Sequence, residues 1–148
     1  VGLIESVELH PEAERLYVEK VNCGEGRTRT IVSGLVKYYQ PEELLGKKVL
    51  IVSNLAPANL RGVESEGMLL AVERKKKLEI LTVEDAQPGT RIFLEGAEDA
   101  TPAEQISIDR FLEAKISVEE NEAQIEGKKL TVDGNIIRTQ NITRGKVR

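Results

Sequence analysis

The sequence predicts a mainly β fold, a small closed barrel followed by a smaller α+β extension, and three observations lead to this. Aromatic residues make up only 3% of the 148 residues and tryptophan is absent, so the core has to be built from Val, Ile and Leu, which suit strands. Short apolar runs alternate with turns rich in Gly, Pro, Asn and Asp. Only one short helical pattern interrupts these runs before residue 96.

The N-terminal third is predicted to form three strands and one short helix. Its first apolar run is broken at His10-Pro11, and the glycine-containing turn at 24–26 makes the next two runs a hairpin. Pro41 suits the first position of a helix, and Gly46 suits its C-terminal end. The predicted ranges are 1–9, 16–21 and 27–32 for the strands and 41–45 for the helix.

More strands are predicted between the helix and residue 96. Asp85 to Gly89 is a turn signal before the last of them, and the polar segment between the first two is expected to be a loop. Five or more short strands with a single short helix indicate a small closed barrel, of which the OB-fold is the leading example. The pattern alone does not separate it from other small barrels. The predicted strands are 48–53, 67–73, 78–81 and 91–94.

A boundary is expected at 96–102, where the sequence is acidic and rich in turn-forming residues. Apolar residues with helical spacing then predict a helix at 108–114. From Ala123 the pattern changes to short strands, with a hairpin turn at Asp133-Gly134.

The single cysteine, Cys23, excludes an internal disulfide and fits a reducing compartment, so we expect a cytoplasmic protein. No apolar run is long enough to span a bilayer, and no signal peptide is visible. The chain begins at Val1 and its only methionine is Met68. We therefore expect a fragment of a longer translation product.

The net charge of −4 argues at first against a nucleic-acid partner, but the charges are unevenly distributed. Residues 27–77 carry ten basic and five acidic side chains, and residues 127–148 carry six and one. A polyanion responds to the field of a local patch, not to the overall charge. Two basic segments could form such a patch if folding brings them to one side. Ordinary interspersed surface charge is the alternative.

No catalytic or metal-binding constellation is visible. His10 is the only histidine, and Cys23 lies in a turn with no histidine predicted beside it. Adjacent glutamates such as Glu42-Glu43 belong to surface segments and do not make an acid/base pair. We predict no catalytic activity for this chain, no metal and no cofactor.

The run NLAPANLRGVESEGMLLA (54–71) is dense in side chains that form hydrogen bonds but are poor proton-transfer groups. Together with HPEAERLYVEKVNCG (10–24) and RTIVSGLVKYY (29–39) it resembles the OB-fold tRNA-binding domain. The likeness covers residues 1–96 and is closest to the eukaryotic branch, the endothelial-monocyte-activating-polypeptide domain and its relatives on tyrosyl- and methionyl-tRNA synthetases.

The resemblance implies a domain at 1–96 and, at 97–148, a shortened form of an extension that imitates the second subunit of the bacterial homodimers. The expected product is a monomer. It also implies a module that binds tRNA by shape and backbone charge, appended to a methionyl-, lysyl- or tyrosyl-tRNA synthetase catalytic domain or acting as a free cofactor protein. The alternative is a cytokine-like signalling or protein-interaction fragment released from a synthetase.

Within this resemblance, Arg61 would clamp a phosphate or stack on a base, and Ser65 and Met68 would contact the RNA. Asn54 would approach a base edge or, as an alternative, hold the loop backbone. Met68 could equally be a core residue. Lys37 and the cluster Arg74, Lys75, Lys76 and Lys77 would contact phosphates, whereas a solvated turn is the alternative for the cluster. Weaker electrostatic candidates are Arg27, Arg29, Lys47 and Lys48.

Overall fold

The structure, a computed structural model, describes all 148 residues and is built almost entirely of strands. The prediction of a mainly β fold with little helix is confirmed. The first four strands form one antiparallel sheet in the order β3-β2-β1-β4, with the short helix α1 between β3 and β4. Their bounds are β1 Gly2–His10, β2 Ala13–Asn22, β3 Thr28–Ser33, α1 Pro41–Leu44 and β4 Lys48–Val49.

This sheet curls back on itself. The strand β5 (Ile51–Val52) continues β4 and pairs with β8 (Met68–Leu69), and the Glu66 amide just before β8 donates to Thr30 O of β3 at 2.8 Å. An irregularity in β1 between Ile4 and Ser6 helps the strand to bend, as β-bulges do. The enclosed core is apolar and includes Ile4, Tyr17, Val21, Ile31, Leu44, Val49 and Leu69.

A hairpin lies where the sequence predicted a loop. The strands β6 (Ala58–Leu60) and β7 (Val63–Ser65) pair across a two-residue turn, and all three residues of β6 are exposed. The loop prediction for this segment was wrong because an exposed strand leaves no alternation of apolar and polar residues in the sequence. The turn residues Arg61 and Gly62 both have positive φ, 56° and 97°, as the favoured two-residue hairpin turns require.

The C-terminal third joins the barrel through a second sheet rather than packing beside it. The last strand of the chain, β16 (Gly145–Val147), inserts between β9 (Ala71–Arg74) and β12 (Ser117–Glu119). The remaining elements are β10 Lys77–Ile80, β11 Phe93–Leu94, α2 Ile108–Leu112, β13 Glu122–Ile125, β14 Lys128–Val132 and β15 Asn135–Ile136. The sheet order is β10-β9-β16-β12-β13-β14-β11, with β15 paired to β14.

One face of this second sheet carries its own apolar core. Val72 of β9, Val147 of β16 and Val118 of β12 lie on that face together with residues from both parts of the chain. The core also includes Leu50, Leu70, Leu81, Ala123, Leu130, Val132 and Ile137. The sequence did not predict β12, and it placed single strands at 48–53 and 67–73, which the structure divides at Leu50 and Leu70. Both leucines are buried in the second core.

Candidate nucleic-acid interface

The β6–β7 hairpin carries Arg61 and is fixed by His10, the buried residue that ends β1. The His10 Nδ1 atom accepts from the Glu12 amide at 2.9 Å, so Nε2 carries the hydrogen and donates to Leu60 O at 2.9 Å. The exposed Arg61 guanidinium reaches back to Glu12 O at 3.5 Å. The single histidine is therefore a structural residue that positions the hairpin.

Ser65 and Met68 lie at the base of that hairpin. Ser65 is only 3% exposed, and its hydroxyl accepts from the Val32 amide at 3.0 Å and donates to Gly67 O at 2.9 Å. Both hydrogen-bonding directions are thus used inside the protein, and Ser65 fixes the approach of β7 to β3. Met68 is half-buried and packs against the second core.

An apolar groove of about 670 Å³ lies beside the base of the hairpin. Ser65 and Met68 line it directly, and each other predicted group has a sequence neighbour in its wall. Leu35 is two residues from Lys37, Leu55 follows Asn54, Leu60 precedes Arg61 and Leu78 follows Lys77. The opposite wall comes from Ile108 of α2 and from Arg148. Two of the predicted residues, Ser65 and Met68, therefore line one groove between the barrel and the C-terminal third, whereas Lys77 projects from the opposite face of β10 to the groove residue Leu78.

Lys37 projects from the turn between β3 and α1 and is exposed. The turn is held by the neighbouring tyrosine: the Tyr39 hydroxyl accepts from the Ile80 amide at 3.1 Å, and the Tyr17 hydroxyl donates to Tyr39 O at 2.7 Å. Of the two adjacent tyrosines, Tyr39 packs against the barrel core. Lys37 thus forms no ion pair and lies on a turn that the Tyr39 contacts attach to the barrel.

Asn54 has a different set of partners. Its side-chain amide donates to Ala103 O at 2.9 Å, and its backbone carbonyl accepts from the Ile106 amide at 2.8 Å. These contacts attach the segment before α2 to the loop after β5, where Leu55 and Ile106 form a parallel bridge. The Asn54 amide therefore joins the two parts of the chain.

The basic cluster Arg74–Lys77 forms the β9–β10 hairpin. Arg74 lies opposite Lys77, and Lys75 has a φ of 57° in the turn between them. All four side chains are exposed, and none is within ion-pair distance of a carboxylate. The same is true of Lys37 and Arg61. Uncompensated cations of this kind keep their full charge available for a polyanion.

Two arginines of the weaker electrostatic set have internal partners instead. Arg27 pairs with Glu66 at 2.8 Å, and Arg29 pairs with Glu25 at 2.6 Å while donating to the backbone at Ser53 and Glu66. The Arg27 hydrogen bond lowers the pKa of the Glu66 carboxyl, and the Arg29 hydrogen bond lowers that of Glu25. These arginines join β3 to the segments around Ser53 and Glu66 and so close the barrel; this contact is called the barrel seam. Sequence reasoning missed their role because the partners lie up to 39 residues away.

Two further side chains with defined contacts had no signal in the sequence. Arg148 lines the groove and pairs with Glu73 at 3.3 Å. The Glu79 carboxylate accepts from the backbone amides of Gln140, Asn141 and Ile142, at 2.7, 2.9 and 2.9 Å. Both contacts depend on the insertion of β16 beside β9, which no local pattern predicts.

No three His, Cys, Asp or Glu side chains are grouped so that they could hold a metal ion. Neither helix has the length and apolar character needed to cross a membrane. The chemistry of the groove and its rim is that of hydrogen bonding, apolar contact and positive charge.

Comparison with known proteins agrees with this chemistry. The family model described as a putative tRNA-binding domain matches residues 1–91. The methionine–tRNA ligase of Treponema denticola is 42% identical over 95% of the chain and 20% of the ligase. The cytoplasmic tyrosine–tRNA ligase of Xenopus laevis is 40% identical over 80% of the chain and 23% of the ligase. The C-terminal domain of Plasmodium vivax p43 superposes with a TM-score of 0.93 at 32% identity, covering 99% of this chain and 93% of that one.

Proposed function

The chain belongs to the putative tRNA-binding domain family, and from this membership we propose that it is a non-catalytic module that binds tRNA by shape and backbone charge. The observation that carries the proposal is a set of six exposed cations without a carboxylate partner, carried on three turns of the chain. Lys37, Arg61 and the Arg74–Lys77 hairpin stand exposed without carboxylate partners. They lie in or next to elements that the family model matches. Such contacts position a nucleic-acid backbone without selecting its sequence.

Individual residues take different parts in this proposal. Lys37, Arg61, Arg74, Lys75, Lys76 and Lys77 contact phosphates, and Met68 meets an unstacked base at the groove wall. Ser65 and Asn54 act indirectly, because their side-chain groups already bond to the protein backbone. We assign them the task of holding the groove walls in place.

We further propose that the module is appended to an aminoacyl-tRNA synthetase. The chain spans about a fifth of the length of the curated methionine–tRNA ligases it matches, which leaves room for a catalytic part in such a parent. A linked module raises the local concentration of tRNA near the catalytic domain, so modest affinity is sufficient. A methionyl parent in the cytoplasm, with the module acting as a monomer, is the form we propose.

The test is a titration of binding to bulk tRNA against salt concentration, with single-stranded RNA and duplex DNA as competitors. The logarithm of the binding constant should fall linearly with the logarithm of salt, and each phosphate contact should contribute roughly 0.7–0.9 to the slope. Removing two charges by Lys75→Gln with Lys76→Gln should lower the slope by roughly 1.5. Arg61→Gln removes one charge and should lower the slope by roughly half as much, about 0.8.

The matched control is Lys128→Gln, which removes one exposed, unpaired charge at the β13–β14 turn. Its slope should equal that of the parent chain. Equal losses in the control and in the site variants would mean that only the overall charge matters. No tRNA binding at low salt would reject the function and direct attention to a protein partner at the apolar groove.

A further inference from the structure

The Arg74–Lys77 hairpin faces a loop of the C-terminal third across an open cleft of about 550 Å³. The other wall of this cleft is formed by Asn141, Ile142 and Thr143, which precede β16. The family model ends at residue 91 and does not include this loop. The two segments of the chain with excess positive charge, 27–77 and 127–148, therefore meet at this cleft.

The strand register directs the hairpin side chains toward the loop. Arg74 and Lys77 are opposite each other, and Glu79 lies two residues beyond Lys77, so all three project from the same face of the sheet. Glu79 accepts from the amides of Gln140 and Asn141. Arg74 and Lys77 thus flank a loop that their own strand pair holds in place.

Hydrogen bonds hold both ends of the loop, and its exposed side chains have no partner within the protein. The Glu79 carboxylate fixes three consecutive backbone amides, and Thr143 O accepts from the Asn121 amide at 2.9 Å at the other end. Ile142 is buried, whereas the side chains of Asn141 and Thr143 are exposed and make no hydrogen bond within the protein. Arg144, the next residue, is exposed and forms no ion pair.

Basic side chains outnumber acidic ones at the cleft, whose lining holds Arg74 and three lysines and no carboxylate. The Glu79 carboxylate beside it bonds to the loop amides and keeps its negative charge, and Glu73 projects from the opposite face of β9, where it pairs with Arg148. What remains is a row of cations facing neutral hydrogen-bond donors. Asparagine amide and threonine hydroxyl groups bind phosphate and sugar oxygens alongside arginine and lysine in nucleic-acid complexes.

We propose that this cleft binds the phosphate backbone of the RNA, with Asn141, Thr143 and Arg144 as contacts supplied by the C-terminal third. Glu79 is a positioning residue that holds the loop against the hairpin. The inference rests on the proposed tRNA-binding function and extends it, because it makes the C-terminal third a direct contact surface and not only a support for the barrel.

The experiment compares four proteins by salt titration of tRNA binding: the whole chain, Arg144→Gln, Asn141→Ala with Thr143→Ala, and Glu79→Gln. Arg144→Gln should lower the salt slope by roughly 0.7–0.9. If the variant and the parent chain bind equally at 1 M salt, the variant's binding constant at 0.1 M salt is then roughly five- to eightfold lower. The double alanine variant should bind roughly fivefold more weakly, with an unchanged slope because no charge is lost.

Glu79→Gln separates positioning from simple electrostatics. The substitution makes the chain one charge more positive, so a purely long-range effect would strengthen binding to RNA. Loss of the charged acceptor loosens the loop, and the cleft proposal therefore expects weaker binding despite the added positive charge. The control is Glu104→Gln, an exposed site with the same change in charge.

The outcomes distinguish the two proposals. If Lys75→Gln with Lys76→Gln weakens binding while the Asn141, Thr143, Arg144 and Glu79 variants all bind like the parent chain, the contacts proposed for the C-terminal third are overturned and the tRNA-binding function stands. If the parent chain binds no tRNA, both are overturned. A thermal melt of each variant checks the fold. If Glu79→Gln fails to fold, the surface variants at Arg144 and at Asn141 with Thr143 test whether the C-terminal third contacts the RNA.

Discussion

Glu19 lies inside the barrel, where it is 0% exposed and accepts a hydrogen bond from the Ser33 hydroxyl. The alternation of β2 places it on the same face as Tyr17 and Val21, two residues of the core. A charged carboxylate in this position loses its hydration, and the hydroxyl compensates only in part. Burial therefore raises the pKa of the Glu19 carboxyl to about 7.

This raised pKa makes the stability of the protein depend on pH. Below the ordinary value of 4.5 the carboxyl is neutral in both the folded and the unfolded chain, and its stabilising contribution is fully present. Between 4.5 and about 7 the unfolded chain ionises first, so the free energy of unfolding falls as the pH rises. We expect a loss on the order of 3 kcal/mol across this window.

Glu19→Gln should remove that dependence, because the amide stays neutral at every pH. Urea unfolding at pH 5 and pH 8 should show a much smaller difference in the variant than in the parent chain. Glu14→Gln, an exposed position on the same strand, is the control and should keep the parent's behaviour. A variant at Glu19 that retained the full pH dependence would contradict the buried-carboxyl explanation.

At the scale of single residues, the sequence named candidate side chains but not the groups they bond to within the fold. Ser65 was predicted to contact RNA, and Asn54 either to approach a base edge or to hold the loop backbone. In the structure the Ser65 hydroxyl accepts from the β3 backbone and the Asn54 amide donates to Ala103 O. Whether they affect RNA binding remains a prediction for the variants to decide. Partners distant in sequence determine which hydrogen-bonding groups of a polar side chain remain unpaired and able to bind a ligand.

Among the elements, β16 has the most demanding position because it inserts between two other strands. Gly145 lies against β9 so closely that a Cβ atom there would come within 2.5 Å of Glu73 O. The neighbouring atom is backbone and cannot move without shifting the strand. Glycine is therefore required for the close approach, independently of its conformational freedom.

Gly145→Ala should push β16 away from β9. We expect a loss of roughly 1–3 kcal/mol in the free energy of unfolding, as for other overpacked core positions. Faster amide exchange at Val147 and Arg148, whose amides donate to Ile116 O and Ala71 O, should accompany it. Gly34→Ala, where an added Cβ has only one atom in its surroundings, at 4.0 Å, is the control.

The elements that the sequence predicted well have local causes. The turn at Asp133-Gly134 was predicted and joins β14 to β15, with φ values of 49° and 80°. The β6–β7 hairpin was missed because its Arg61-Gly62 turn lies between exposed residues. A hairpin turn is visible in the sequence only when the flanking strands also alternate.

For the whole molecule, the second core determines how the two parts depend on each other. Val72 and Leu81 come from the first 96 residues, and Val118, Leu130 and Val147 come from the remainder. The proposed division at residue 96 therefore separates the chain in sequence but leaves one shared core. A barrel without residues 97–148 would expose the edge of β9 and this apolar face to solvent.

We expect the whole chain to sediment as a monomer and residues 1–96 to self-associate as a dimer. The uncovered β9 edge offers backbone hydrogen bonds, and the uncovered apolar face supplies the driving force for association. Sedimentation equilibrium of the two chains over a range of concentrations measures the difference. A stable dimer of the whole chain, or a folded monomer of residues 1–96, would refute the idea that the extension imitates a second subunit.

The sequence by itself determined the mainly β fold, the helix at Pro41, most strands and the family, because these depend on alternation, turn residues and a continuous motif. Tertiary structure alone decided which charges remain free. Arg27 and Arg29 are used in the barrel seam, whereas the Arg74–Lys77 hairpin stays unpaired beside a loop fixed by Glu79. The physical reason is that ion pairs and clefts form between residues far apart in the chain, and no local pattern records which of them will meet.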